Sequence, residues 1–187
     1  MKTDVNVDLC VDSLKSMAGV IDKGFHFIDD SLAIEMEFGQ LLMDEIVKSR
    51  PKQIVEIGTG HGYSTSWIML GTILNGFGKI TTWDHEKREP KVYTKLGLSP
   101  TREHNKGFEI KDLKHRIDFL FHDSQHSYEL ITKDMDVLIP KMNKNSQIWI
   151  HDVRDALAKR LSEYFKDKGW NFRSIEESWG MGIATNA

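Results

Sequence analysis

Cysteine is nearly missing: Cys10 stands alone in 187 residues, so no disulfide can form within the chain and no thiol-only metal cluster can be built. A reducing compartment follows, and a cytoplasmic protein is expected. Basic excess is missing as well. The net charge of −3 gives no electrostatic footprint for nucleic acid. No apolar run is long enough to span a bilayer, and the first ten residues, with Asp4 and Asp8, read as neither signal peptide nor anchor. Repeats, low-complexity tracts and linkers are also absent. Nucleic acid and membrane are thereby set aside as partners. What remains is ordinary for a globular protein, 40% hydrophobic and 28% charged, in a length that suits one domain with a real core.

The clearest stretch is Ile54-Val55-Glu56-Ile57-Gly58-Thr59-Gly60-His61-Gly62-Tyr63-Ser64. Apolar Ile54, Val55 and Ile57 suit a strand covered on both faces, and alternate glycines let the backbone turn sharply beside a ligand. Ser64-Thr65-Ser66 offers hydroxyls to cap the helix that follows. Upstream, residues 11–21 read as a short amphipathic helix broken at Gly24-Phe25-His26-Phe27. Asp29-Asp30-Ser31 caps a second helix that ends at Arg50-Pro51. Residues 1–30 form a helical extension that packs on the domain, arches over the site or serves as a dimer contact, which leaves a homo-oligomer open. The domain proper covers 31–187.

Downstream, a helix over 65–74 closes at Asn75-Gly76, and residues 78–84 form a second strand, giving a right-handed parallel unit. Residues 85–116 are charged and irregular, with a helix over 91–96 and a weak strand within 103–110. Residues 117–121 and 147–150 are two further strands, each followed by a helix, over 128–138 and 156–166. Residues 170–175 and 182–185 pair as a closing hairpin.

Ligands in open parallel sheets bind outside the carboxyl ends of the strands. Four strands here end in Glu56, Asp84, Asp123 and His151-Asp152, so the acids converge on one edge. The G-x-G-x-G spacing departs from the dinucleotide G-x-G-x-x-G. An acid just before it repels phosphate and suits a cationic or hydroxyl-bearing ligand. Asp84 stands where an acid accepts hydrogen bonds from ribose hydroxyls. A nicotinamide oxidoreductase would need the pyrophosphate spacing that is absent.

Glu56 to Ser64, Asp84 and the run Asp118-Phe119-Leu120-Phe121-His122-Asp123-Ser124-Gln125-His126-Ser127-Tyr128, a D-x-x-x-x-D-x-x-H-x-Y pattern, together resemble class I S-adenosylmethionine-dependent methyltransferases. The likeness is to the small O-methyltransferases of the catechol and caffeoyl-coenzyme A type and their bacterial relatives, over residues 31–187. It implies an α/β, Rossmann-like, open and mostly parallel seven-stranded sheet with an antiparallel last strand and helices on both faces. It also implies S-adenosylmethionine as cofactor and a small-molecule hydroxyl as acceptor. Glu56, Gly58, Thr59, Gly60, Gly62, Tyr63 and Ser64 would surround the methionine part and Asp84 the ribose, with His85 beside the adenine and Asp123 adjoining. Carboxylates favour a sulfonium over the uncharged demethylated product.

In metal-dependent members the strand-end carboxylates, here Asp123 and Asp152, hold a divalent cation such as magnesium, with an asparagine completing the set. Val153 replaces that asparagine, so His151, His126 or water would substitute, and a histidine shifts preference toward manganese, zinc or iron. His126 stands where relatives carry a lysine base, and imidazole takes a proton near neutral pH. The catalytic group is thus His126 with Asp123 and Asp152; the bland alternative for His126 is a cap on the helix at Tyr128. His122 and His151 alternate away toward packing roles, and His61 is expected to be solvated. The adenine-side acid has no counterpart, with Phe108 in its place, and Lys141-Met142-Asn143-Lys144-Asn145 replaces the usual Pro-Gly-Gly turn. These departures keep a non-catalytic cofactor-binding domain in view.

Overall fold

A computed structural model describes residues 5–21, 34, 36–85, 92–104, 110–124, 126–175 and 179–186. The short apolar runs become strands buried on both faces: β1 (Gln53–Ile57), β2 (Lys79–Trp83), β4 (Ile117–His122) and the carboxyl half of β5 (Met142–His151). With β3 (Arg102–His104), β6 (Asn171–Ile175) and β7 (Met181–Thr185) they make one seven-stranded sheet in the order β3-β2-β1-β4-β5-β7-β6. β1 to β5 pair in parallel, and β7 lies antiparallel between β5 and β6. The expected sheet, including the antiparallel last strand and the closing hairpin, is the one observed.

Alternation along each strand sorts the core into two layers. Ile54, Phe119, Phe121 and Trp149 face α1 (Val7–Ile21), α2 (Met36–Ser49) and α3 (Tyr63–Asn75). Val55, Leu120, Ile148 and Ile150 face α5 (Tyr128–Leu138) and α6 (Asp155–Asp167). Each fully buried Leu, Ile or Phe contributes about 2 kcal/mol, so these two covered faces hold the sheet far more strongly than any one helix's propensity. α1 belongs to the first layer: Leu14 is fully buried, and its carbonyl accepts from Tyr63 Oη at 3.2 Å. α4 (Val92–Lys95) falls within the short helix expected over 91–96 and buries Val92 and Tyr93. Among the described residues no helix is long and apolar enough to cross a membrane.

Two local readings change. The N-cap of α3 is Gly62 at φ 82°, with no side-chain cap bond. Ser64 and Thr65 turn inward to Glu56, and Ser66 Oγ donates back to the Gly62 carbonyl at 2.7 Å. The other end is as expected, Gly76 stopping the helix at φ 74° with its N–H on Ile73 O. Residues 142–145 are not a turn but the start of β5. The strand pairs Ile117 with Met142 and then Phe119 with Gln147, a bulge at which Asn145 takes φ 58°. The expected break at residues 24–27, the cap at 29–31, the start of a helix at Lys91 and the place of Phe108 lie outside the described residues.

Candidate functional site

Registers decide which side chains meet. Ile57 pairs with Trp83 on one side and with His122 on the other, and His122 pairs with Ile150. The residues just past these pairs, Gly58, Asp84, Asp123 and Asp152, therefore emerge together at the carboxyl edge of β2, β1, β4 and β5.

Glu56 does not stand on that rim. It is fully buried beneath it. Ser64 Oγ donates to Oε1, and Thr65 and Thr82 donate to Oε2, each at 2.6 Å. Thr59 Oγ1 lies 2.5 Å from Thr82 Oγ1, which extends the hydroxyl chain to the turn. Burial pushes the Glu56 carboxyl up to about 7; the three hydroxyl bonds oppose that rise, and the charge of Asp123 adds to it. One acid thus ties β1, β2, the glycine turn and α3 into a single unit. Thr65, expected to cap the helix, serves Glu56 instead, and Thr82 has no motif in the sequence to mark it. The signal for Thr82 is its register, directly beside Glu56.

The turn above it is clamped from three sides. Gly58 and Thr59 N–H both donate to Trp83 O, at 2.7 and 3.1 Å, and Gly60 N–H donates to Asp84 Oδ2 at 2.6 Å. The Tyr93 ring lies against Gly62, where a Cβ would come within 2.5 Å of it, and the Tyr93 hydroxyl bonds Glu103. The side chains of Thr59, Tyr63 and Ser64 are spent on these internal bonds, so these residues can offer a ligand only backbone. Gly58, Gly60, His61 and Asp123 keep part of their surface at the edge; Asp84 is buried, with exposed His85 3.4 Å from it. His61 was expected to be solvated. Instead its Nδ1 is buried and has no hydrogen-bond partner among the described residues, a position in which a ligand seated on the turn would pair with it.

The second half of the site is a cluster of two acids and two histidines. His151 Nδ1 lies 3.0 Å from Asp123 Oδ1 and 3.5 Å from Asp152 Oδ1. His126 sits between the same two acids, Nε2 at 3.7 Å from Asp123 Oδ1 and Nδ1 bonded to Asp152 Oδ2. These bonds push His126 up to about 9 against its partial burial. Burial raises the Asp123 carboxyl, but hydrogen bonds from both histidines and their charges outweigh it and hold Asp123 below the usual range. α5 is capped by Ser127, whose side chain accepts from Leu130 N at 3.4 Å, so capping does not account for His126. His151, expected to pack, does so by an edge contact with Phe38 and also bonds the catalytic candidate Asp123. His122 points to the other layer and bonds Asp134 at 3.0 Å.

Asp123 and Asp152 are the pair expected to hold a divalent cation. The structure brings them together, but Val153 at the third position is apolar and fully buried. Imidazole nitrogens already face the carboxylate oxygens a cation would take. Among the described residues no three His, Cys, Asp or Glu side chains are arranged to hold a metal ion. Asp123, Asp152, His126 and His151 are all donors a cation can use, but as arranged here they bond one another rather than converge on a common point.

A family profile described as a methyltransferase domain matches residues 55–153, from β1 through the end of β5. Solved structures share the fold. An SAH-bound methyltransferase of Podospora anserina superposes with a TM-score of 0.75 at 15% identity, covering 94% of this chain and 88% of that one. The O-methyltransferase TomG of Streptomyces achromogenes, solved in complex with SAM, gives 0.72 at 20% identity, covering 93% and 89%. An O-methyltransferase of Bacillus cereus in complex with SAH gives 0.70 at 16%, covering 95% and 90%. A different likeness, 31% identity over 71 residues, is to the GTPase Obg of Aquifex aeolicus; it spans 35% of this chain and 21% of that protein. The chain thus spans about a fifth of the length of that curated relative. It has no G-x-x-x-x-G-K-[ST] run with which to cradle a nucleotide phosphate.

Proposed function

The chain belongs to the methyltransferase domain family, and on that premise we propose that it moves the methyl group of S-adenosylmethionine to a hydroxyl of a small molecule. The observation that carries this reading is the clamped glycine turn with Asp84 on one side and the Asp123–His126–Asp152 cluster on the other. Gly58, Gly60, Gly62 and the backbone of Thr59, Tyr63 and Ser64 would hold the amino-acid part, with His61 Nδ1 as a further polar contact. Asp84 would hold the ribose, with His85 beside it. Glu56 supports the turn from below. Bound there, S-adenosylmethionine supplies an electrophilic methyl carbon on a cationic sulfur. A cytosolic setting suits the lone cysteine.

The chain's own part is orientation and proton transfer. His126 Nδ1 stays anchored on Asp152, and Asp123 makes the longer contact, 3.7 Å, with Nε2. Nε2 is therefore the atom open to an acceptor hydroxyl. His151, bonded to Asp123, keeps that carboxylate in place. In-line displacement then needs the hydroxyl oxygen held on the axis of the breaking bond, which Asp123 and Asp152 favour by fixing the imidazole plane.

Isothermal titration with S-adenosylmethionine and S-adenosylhomocysteine tests the first step, and absence of binding by either sinks the reading. Binding without transfer to any phenol or sugar hydroxyl in a panel would leave a non-catalytic cofactor-binding domain instead. The base has its own signature. A base acts only when deprotonated, and the two aspartates raise His126 to about 9. Accordingly kcat/KM should climb with pH and level off near that value. His126→Gln should remove this limb and lower the rate roughly 10²–10⁴-fold with cofactor affinity unchanged. An unchanged pH profile would exclude His126 as the base.

A further inference from the structure

The opposite edge of the sheet carries the reverse charge. A groove of about 450 Å³ opens at the amino ends of β1, β4 and β5, lined among others by Arg50, Lys52, Arg116, Asp118, Asn143 and Asn145. That volume is within the range of small-molecule sites. None of the residues of the acid-rimmed edge lines it.

Its single acid is already satisfied by neutral donors. Asp118 Oδ2 accepts from the Lys52 and Gln53 N–H groups, both at 2.9 Å, and Oδ1 accepts from Asn143 Nδ2 at 2.6 Å. The cations have no such answer. Arg116 is fixed by the Pro140 and Met142 carbonyls at 2.8 and 2.5 Å and by Asn143 Oδ1 at 3.3 Å, all uncharged acceptors. Arg50 bonds Asn75 Oδ1 at 3.1 Å and lies over the Phe77 ring, and among the described residues neither arginine meets a carboxylate. The Lys52 ammonium has no partner among them. Glu45, which accepts from the groove residue Gln147 at 2.6 Å, is also engaged by Lys48 at 3.6 Å.

Three positive groups held around one groove repel one another, and a bound anion relieves that repulsion while bonding the donors they still present. Their placement on two chain segments, Arg50 and Lys52 flanking Pro51 and Arg116 just before β4, asks for charge spread over several oxygens, as on phosphate. The bulge in β5 adds Asn145, at φ 58°, to the same rim. Non-glycine residues in that conformation cluster at ligand sites.

We propose that the groove at the amino ends of β1, β4 and β5 is a second binding site, for a small phosphate-bearing molecule, independent of the cofactor edge. The test is calorimetric titration of the full chain with inorganic pyrophosphate, with and without saturating S-adenosylhomocysteine. Saturable binding that S-adenosylhomocysteine does not displace is expected. Lys52→Glu, at an exposed side chain with no hydrogen-bond or ionic partner among the described residues, should weaken it at least tenfold. Asn145→Asp, which tolerates the same backbone, should weaken it as well. No pyrophosphate binding, displacement by S-adenosylhomocysteine, or equal affinity in both variants would each overturn the site. None of these outcomes touches the methyl-transfer reading, whose own test is cofactor binding at the other edge.

Discussion

Gly58→Ala should abolish cofactor binding and destabilise the protein by roughly 4 kcal/mol or more. A Cβ at this position would lie 2.0 Å from Asp123 O and 2.5 Å from its carbonyl carbon, with φ at 96°. The clashing atoms are backbone, and they belong to a segment pinned by the Asp123 N–H on Ile57 O at 2.7 Å, so neither partner can yield. Relief would require parting β1 from β4 at their carboxyl ends, where the two halves of the site meet. Gly76→Ala is the control. Its φ of 74° is equally left-handed, but nothing lies within 4 Å, so it should cost only about 1 kcal/mol and leave binding intact. Urea unfolding of both variants, with titration of S-adenosylhomocysteine, decides the matter. Equal losses would mean that backbone conformation rather than contact with Asp123 makes Gly58 necessary.

The second large effect depends on pH and centres on Glu56. Its carboxyl is raised from 4.5 to about 7 by burial. In the folded protein it therefore keeps its proton over a range in which the unfolded chain has released it. The resulting stabilisation is complete below pH 4.5 and is lost as pH rises through about 7, a total of about 3 kcal/mol. Glu56→Gln has no proton to lose and retains groups that can pair with the three hydroxyls, whose hydrogens can rotate. Its stability should match the wild type near pH 4.5 and exceed it by that margin above pH 8. Urea midpoints across this range measure the difference. Curves that stay parallel would show that Glu56 is not protonated in the fold. His126 also loses stabilisation as pH rises, through about 9, but it does so in both proteins and cancels from the comparison.

The fold was legible because short apolar runs bounded by acids and glycines can be little else than parallel strands, and Gly76 stops α3 where Asn75-Gly76 said it would. The site was legible to the level of which residues gather, since strand ends in a parallel sheet must share an edge. It was not legible to the level of which way they turn. Glu56 alternates into the α1–α3 layer, where hydroxyls from α3 and β2 surround it, and nothing in its own stretch announces Thr82. His61 looked like a loop residue in water because the folded turn is closed by α4, far along the chain, whose Val92 N–H donates to the His61 carbonyl at 2.7 Å. The raised proton affinity of His126 depends on two acids, one of them on a different strand. Sequence spacing placed the imidazole near Asp123 but not in Asp152's grasp.

The bulge in β5 has a consequence for how such a domain can change length. Between the pairings of Ile117 with Met142 and Phe119 with Gln147, β5 advances five residues while β4 advances two. The surplus is absorbed at the amino end, before Gln147. From there the strands run in step to His122 and Ile150, and Asp123 and Asp152 still arrive within reach of one imidazole. Insertions and deletions at that end are thus uncoupled from the register of the chemistry at the other, while a single residue gained or lost past Gln147 would turn every later side chain of β5 to the wrong layer.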